Sequence, residues 1–214
     1  MPYKFSPSSL GLLKDCPRCF WLKFNKGIRR PNGIFPSLPS GMDRILKTHF
    51  DSFMQRGKLP PELAGIDKNE KLFEDTLQLE IWRNNRKGIR WNDDEGNILM
   101  GAVDNLLQKG DKLVVMDHKT RGYPLKKGIA NYSKDQMDIY NFLLRKNGFK
   151  TENYSYLLFY HPIKVNENGH IVFHTDLVKL SVDEKNAQNI FNYALKVLNE
   201  KCPKTNDCNW CKII

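Results

Sequence analysis

The feature that most constrains the fold is a pair of apolar stretches in the middle of the chain, joined at Gly110-Asp111. The stretches Ile98 to Gln108 and Lys112 to Thr120 predict two strands, and Gly-Asp is suited to a tight hairpin turn. With a two-residue turn, the register places Asp104 directly opposite Asp117. Two carboxylates in that arrangement repel each other, so the pattern indicates a divalent cation between them.

Lys119 belongs to the same predicted site, because side chains two residues apart along a strand share a face. Mg²⁺ is held in proteins by few carboxylates, completed by water and by phosphate oxygens of the substrate. Lys119 would orient or help to deprotonate an attacking water. The alternative is an ordinary surface hairpin. The apolar run from Val114 to Met116 argues against it, because it places Asp117 at the buried end of a core strand.

Helices before the hairpin carry further candidate ligands. Apolar residues recur every three or four positions between Met42 and Phe53, which predicts an amphipathic helix with His49 on its inward face. A lone histidine on such a face is by itself more often a core residue than a ligand. A second helix is predicted from Glu70 to about Arg86, and Glu80 in it is a weaker candidate for an acidic ligand.

A helix after the hairpin, from about Tyr132 to Arg145, places Gln136 and Tyr140 on one face, because residues four apart are neighbours on a helix. Together they could reach a phosphate or a base edge. The alternative is an ordinary helix with Gln136 in solvent. The remaining predicted elements are two strands and a last helix: Tyr154 to Tyr160, Ile171 to Leu180, and Asp183 to about Asn199.

Three motifs occur in order along the chain: Gly101 to Asp104, Asp117 to Lys119, and Gln136 to Tyr140. They resemble the G-x-x-D, D-x-K and Q-x-x-x-Y motifs of the RecB-like branch of the PD-(D/E)XK nucleases, which includes CRISPR-associated exonucleases and cluster-containing relatives. The resemblance implies an α/β fold with a restriction-endonuclease-like core, a central mixed β-sheet flanked by α-helices. It also implies metal-dependent cleavage of nucleic acid, with DNA attacked in an exonuclease-like manner as the first expectation.

The resemblance also gives each site residue a role. The assigned residues are His49, Asp104 and Asp117 as ligands of Mg²⁺ or Mn²⁺, Lys119 as the residue serving the water, and Gln136 with Tyr140 as positioning residues for the strand.

The five cysteines form a second predicted site, near the two ends of the sequence. An odd number of cysteines fits a disulfide framework poorly, and metal binding fits better. The spacing C-x-x-C lets both thiolates of a pair reach one metal ion or cluster. Two sets compete: Cys16, Cys19, Cys208 and Cys211, favoured on spacing, or Cys16 with Cys202, Cys208 and Cys211.

Several RecB-like nucleases are similar in pinning their ends together with a [4Fe–4S] cluster, held by one cysteine before the nuclease core and three after it. The resemblance therefore implies such a cluster here, although the downstream cysteines stand in the reverse order. Zinc is an alternative, since four thiolates also form a closed structural zinc site. Reduced cysteines buried as small hydrophobes are another. With either metal, we predict a structural staple formed by residues 1–30 and 200–214.

The charge balance indicates the class of partner. Thirty-four Lys and Arg against 24 Asp and Glu give a formal charge of +10, which favours polyanions such as nucleic acid. With 214 residues, we expect a single nuclease-like domain over 1–214. No run approaches the roughly 20 apolar residues of a membrane span, and the first residues lack a signal-peptide core, so we expect a soluble, cytoplasmic protein. Basic residues that could line a nucleic-acid path are Arg83, Arg86, Arg90, Lys126 and Lys127.

Two other function classes compete with a nuclease. A non-catalytic nucleic-acid-binding module with a structural Fe–S or zinc site would bind DNA with a steep salt dependence and cleave nothing. A small thiolate-metal protein with a redox or scaffolding role would have no affinity for nucleic acid. The complete set of Asp104, Asp117 and Lys119 favours the nuclease over both. A helicase or another targeting protein is the expected kind of protein partner.

Overall fold

The computed structural model describes residues 2–204 and 208–211 of the chain. Within them are eight strands: β1 (Lys4–Phe5), β2 (Glu70–Leu72), β3 (Ile89–Asn92), β4 (Ile98–Gly101), β5 (Asn105–Lys109), β6 (Lys112–Thr120), β7 (Tyr154–Val165) and β8 (Ile171–Ser181). The larger sheet has the order β2-β5-β6-β7-β8, with β6 parallel to β7 and the other neighbours antiparallel. The smaller sheet has the order β1-β4-β3. The expected central mixed sheet is therefore confirmed.

Helices cover both faces of the larger sheet. In the part of the chain that the structure describes they are α1 (Pro7–Asp15), α2 (Pro17–Lys26), α3 (Ser37–Gln55), α4 (Thr76–Arg83), α5 (Lys134–Lys146) and α6 (Glu184–Asn199). One hydrophobic core joins α1, α2, α4, α5 and α6 to the sheets, and a second joins α3 to the opposite face. None of the helices in the described ranges is long and apolar enough to cross a membrane.

Strand β6 runs between these two cores. Its residues Leu113 and Val115 belong to the core with α5, and Val114 and Met116 belong to the core with α3. Burial of an aliphatic side chain contributes about 1.5–3 kcal/mol to stability, so both faces anchor the strand. Because side chains alternate along a strand, the residues after Val115 on the α5 face are those at positions 117 and 119.

The hairpin of β5 and β6 has the predicted register. Asn105 lies opposite Met116, and Lys109 opposite Lys112, so the two-residue turn falls at Gly110 and the residue after it. Gly110 has a φ of 59°, in the left-handed region that glycine adopts without steric cost. Asp104 stands immediately before the first of these pairs.

The prediction of one strand from Ile98 to Gln108 is wrong, because the chain there forms β4 and β5 in different sheets. The break follows Gly101, the last residue of β4, which pairs with Ile89 of β3. A Cβ atom at Gly101 would lie 2.7 Å from the ring of Tyr140, so the chain passes directly against that ring. Apolar patterning gave no sign of the break, because both halves are buried.

The predicted helix from Glu70 to about Arg86 is wrong at its start. Residues Glu70–Leu72 form β2, which pairs with β5, and the helix begins only at Thr76. Asp75 explains this start, because its side chain accepts a hydrogen bond from the backbone N–H of Gln78. At the first helix, Ser6 is the N-cap residue, and Ser9 completes a capping box.

Candidate active site

Asp117 and Lys119 occupy the α5 side of β6, as the alternation of the strand requires. The Asp117 side chain is buried, and its carboxylate forms an ion pair with the Nζ of Lys119. The Lys119 ammonium group remains partly exposed. The carboxylate is thus enclosed by the core, whereas the lysine side chain is partly accessible to solvent.

Gln136 of α5 joins these two residues to Tyr140. Its carbonyl Oε1 accepts a hydrogen bond from Lys119 Nζ at 2.9 Å. Its amide Nε2 donates to Asp117 Oδ1 at 3.1 Å and to the hydroxyl of Tyr140 at 2.8 Å. The spacing of one helical turn brings Gln136 and Tyr140 to the same side of α5, so four residues named from the sequence form one hydrogen-bonded network.

Asp104 lies at the entrance to β5 and is held by two donors. Its Oδ1 lies 3.1 Å from the Nζ of Lys47 on α3, and its Oδ2 accepts the backbone N–H of His118 at 3.1 Å. Arg83 of α4 donates to the backbone carbonyl of Asp104 at 2.7 Å and pairs with Asp51. Arg83 therefore holds the backbone of Asp104 in place, whereas the sequence had suggested that it lines a nucleic-acid path.

The two carboxylates differ in their proton affinity. Burial, and after it the nearby charge of Asp104, raise the pKa of Asp117 to about 7, against the lowering effect of Lys119. Burial opposes ionisation of Asp104, but the charge and hydrogen bond of Lys47, together with those of His118, outweigh it and lower the pKa of Asp104 below its usual value. One acid of the pair is therefore ionised at neutral pH, and the other titrates near neutrality.

A divalent cation fits these residues. Asp104 and Asp117 are close enough for their charges to interact, and Asp117 Oδ2 is buried with no hydrogen bond, only the ion pair with Lys119. Mg²⁺ needs few protein carboxylates, because water and substrate oxygens complete its shell. The negative charge of the two carboxylates, which such a cation would neutralise, is offset in this structure by Lys47 and Lys119.

His49 is placed apart from this network. Its Nε2 lies 3.0 Å from Glu62 Oε1, and its ring contacts Phe53 at 5.0 Å between ring centroids. Among the described residues, the structure does not gather His49 with the two aspartates into one group of ligand atoms. A role for His49 as a ligand stays a prediction. Glu80, the fallback ligand, is exposed on α4.

The cysteines at the two ends of the chain come together in the fold. The Sγ atoms of Cys16, Cys19, Cys208 and Cys211 all lie within 4.8 Å of one another, which makes a metal site possible. Cys202 lies outside this group, with its Sγ 3.5 Å from Arg18 Nη1. The geometry thus gathers the two-plus-two set and not the one-plus-three set.

The thiol of Cys208 has a lowered pKa, in contrast to Cys19 and Cys211, whose pKa values burial raises. Backbone N–H groups, first that of Cys211, lower the pKa of Cys208 to about 6, although burial opposes the shift. A thiolate is the form of cysteine that binds metal.

The family model of the PD-(D/E)XK nuclease superfamily, which describes the sequences of its members, matches residues 4–214 of the chain. The chain belongs to the PD-(D/E)XK nuclease superfamily. Membership indicates a metal-dependent nuclease, and hence a hydrolase that uses divalent metal ions. Among solved structures, the crystal structure of SSO0001 is similar at 14% identity and a TM-score of 0.46, over 99% of this chain and 82% of that one. No curated protein matches the chain.

A cleft of about 860 Å³ adjoins the network described above, and Gln136 and Tyr140 form part of its wall. It runs between α1, α5 and α6, and its walls include two further tyrosines, Tyr132 and Tyr193. Tyr132 is 85% exposed and Tyr193 is 50% exposed, so both rings are accessible from solvent. Gln136 and Tyr140 therefore belong both to the cleft wall and to the network with Asp117 and Lys119.

Lys47 is a residue of this candidate site that sequence reasoning missed. It pairs with Asp43 at 2.8 Å as well as with Asp104. In the sequence, Asp43 and Lys47 stand four residues apart on a helix, a spacing typical of ordinary surface ion pairs. Nothing in that spacing distinguishes an active-site lysine, so only the packing of α3 against β6 reveals it.

Proposed function

We propose that this protein is a Mg²⁺- or Mn²⁺-dependent deoxyribonuclease of the RecB-like branch, which hydrolyses phosphodiester bonds from a DNA end. The observation that carries the proposal is the network in which Gln136 connects Asp117, Lys119 and Tyr140 beside Asp104. A surface hairpin has no need of a buried carboxylate held by two other polar side chains, Lys119 and Gln136.

Each residue of the network has a task in this proposal. A divalent cation bound by Asp104 and Asp117 would supply neutralisation of phosphate charge and a lower pKa for a bound water. Lys119 would orient the attacking water and contact the phosphate with its ammonium group. Gln136 accepts a hydrogen bond from the Lys119 ammonium and thereby fixes its position beside Asp117. Tyr140 fixes Gln136 in turn.

The substrate class is supported by charge and by the cleft. A formal charge of +10 favours a polyanion, and exposed Arg86, Arg90, Lys126 and Lys127 add positive charge to the surface. Tyr132 and Tyr193 offer ring faces on which unpaired bases stack. An end-directed mode of attack is supported by the family resemblance.

The setting of this activity is proposed on similar grounds. Reduced thiolates at a metal site suit the cytoplasm, where disulfides are rare. A helicase or another targeting protein would deliver DNA ends to the cleft. The gathered cysteines are proposed to hold a structural group, iron–sulfur or zinc, that keeps the ends of the chain together.

The decisive test is cleavage of labelled single- and double-stranded DNA, linear and circular, with Mg²⁺ or Mn²⁺. Asp117→Asn and Lys119→Met should each lower the cleavage rate by at least about 100-fold. Asp111→Asn is the matched control, because Asp111 forms an exposed pair with Lys150 at the turn of the same hairpin. Cleavage of linear but not circular DNA supports end-directed attack. A parallel RNA substrate tests the preference for DNA.

A non-catalytic nucleic-acid-binding module is the second candidate. It is favoured by the two lysines, Lys47 and Lys119, which already form ion pairs with the carboxylates. In that case folded, metal-supplied protein binds DNA with a steep salt dependence and releases no product. The same cleavage experiment with a binding measurement therefore separates the two functions.

A further inference from the structure

The four gathered thiols are arranged around a point. Cys16 Sγ lies 3.7 Å from Cys211 Sγ, and Cys19 Sγ lies 3.6 Å from Cys208 Sγ. No pair among the four is separated by more than 4.8 Å. These separations exceed the disulfide bond length of about 2.05 Å, so the arrangement is not that of two disulfides.

The separations distinguish between one metal ion and a cluster. Four sulfurs bound to one tetrahedral ion at about 2.3 Å lie about 3.8 Å from one another. In a [4Fe–4S] cluster each thiolate binds a different iron at a different corner, which puts the sulfurs roughly 6 Å apart. The observed 3.6 and 3.7 Å match the single ion, and the 4.8 Å limit leaves no room for the cluster.

The backbone around the site supports the compact arrangement. Cys16 ends α1 and caps α2, and its Sγ accepts the backbone N–H of Cys19 at 3.4 Å. The first turn of α2 therefore holds both sulfurs of the first pair on one side. Widening the site for a cluster would require this turn and the segment at Cys208 to move apart.

The charge around the site is also suited to four thiolates on one divalent ion. Such a complex has an excess of two negative charges, because four thiolates surround a 2+ ion. Arg30 donates from Nη2 to Cys208 Sγ at 3.4 Å and offsets part of that charge. Arg18 instead donates a hydrogen bond to the sulfur of Cys202, which is outside the group of four.

We propose that Cys16, Cys19, Cys208 and Cys211 bind a single structural Zn²⁺ ion, and that the [4Fe–4S] cluster implied by the family resemblance does not fit this chain. Binding would release the thiol protons that remain and close a loop between residues 195 positions apart. The ion ties the junction of α1 and α2 to the C-terminal segment.

The test is metal analysis of the full chain, purified anaerobically from cells supplied with both iron and zinc. We expect about one zinc per chain, only traces of iron and acid-labile sulfide, and no visible absorption. Protein reconstituted with Co²⁺ should show the intense visible bands of a tetrahedral tetrathiolate site. Iron and sulfide near four of each per chain, or protein that binds neither metal, would overturn the proposal.

A matched pair of variants tests the ligand set. Cys202→Ser should keep the zinc through dialysis against a mild chelator, whereas Cys208→Ser should lose it. Equal loss of zinc in both variants would contradict the assignment. Lys119→Met should carry as much zinc as the wild type, so a failed nuclease assay and a failed zinc assignment are distinguishable. The wild-type metal content remains decisive if Cys208→Ser does not fold.

Discussion

The ammonium group of Lys47 lies 3.1 Å from Oδ1 of Asp104, on the carboxylate that a divalent cation would share with Asp117. Burial opposes the charge on Lys47, but Asp104 and Asp43 together outweigh it and raise the pKa of the lysine. The lysine and a bound cation therefore compete for the same negative charge.

Lys47→Met should tighten Mn²⁺ binding by about tenfold, because a unit of positive charge near the carboxylates is removed. The measurement is a calorimetric titration of the metal into the protein without nucleic acid. Arg44→Met, an exposed residue on the same helix, is the control and should change little. Weaker binding in Lys47→Met would contradict the competition and assign Lys47 to the support of the metal site.

The raised pKa of Asp117 predicts how stability depends on pH in metal-free protein. The native state binds a proton at Asp117 up to a pKa of about 7, whereas the unfolded chain releases it near 3.8. The native state therefore binds more protons between these values, so stability falls as pH rises from about 4 to 7.

Asp117→Asn should remove this dependence. We expect the variant to be more stable than the wild type at pH 8 by on the order of 2 kcal/mol, with no gain at pH 4. The expected gain is less than the full pKa shift implies, because Lys119 loses its partner. The measurement is urea denaturation in EDTA at both pH values. A gain of the same size at pH 4 would rule out Asp117 titration as its cause, and Asp111→Asn is the exposed control.

Gly101→Ala should destabilise the protein by about 1–3 kcal/mol, because the new methyl group would enter the space of the Tyr140 ring. The nearest ring atom would lie 2.7 Å away, and Leu143 would lie 3.1 Å away. Gly122→Ala is the matched control, since no atom lies within 4 Å of the position that its new methyl group would take. Chemical denaturation of both variants measures the difference. Equal stability would show that the ring can move aside.

Tyr132→Ala should weaken binding of single-stranded DNA, because stacking of one base on an aromatic ring contributes about 1–3 kcal/mol. Tyr123→Ala is the control, since Tyr123 is 77% exposed but does not line the cleft. Fluorescence anisotropy with a labelled oligonucleotide gives both affinities, measured in the Asp117→Asn background, in which we expect no cleavage. Equal losses of DNA affinity in the two variants would show that DNA does not bind in the cleft.

Local patterns determined the central part of the fold. The turn at Gly110, the apolar run from Val114 to Met116 and strand alternation were enough to place Asp117 and Lys119 on one face and to set the register of the hairpin. The spacing of Gln136 and Tyr140 on one helix was likewise local. These features depend on residues close together in the sequence and on one short turn, so they can be predicted from the sequence alone.

Tertiary structure decided what depends on partners distant in sequence. The division of Ile98 to Gln108 between two sheets depends on which strands pair with each half, and β2 forms because β5 offers it an edge. The position of Lys47 against Asp104 depends on the packing of α3, and the pairing of His49 with Glu62 depends on the turn that follows α3. The separations of the cysteine sulfurs also follow only from the meeting of the two ends of the chain, because spacing along a sequence sets no distance between remote segments.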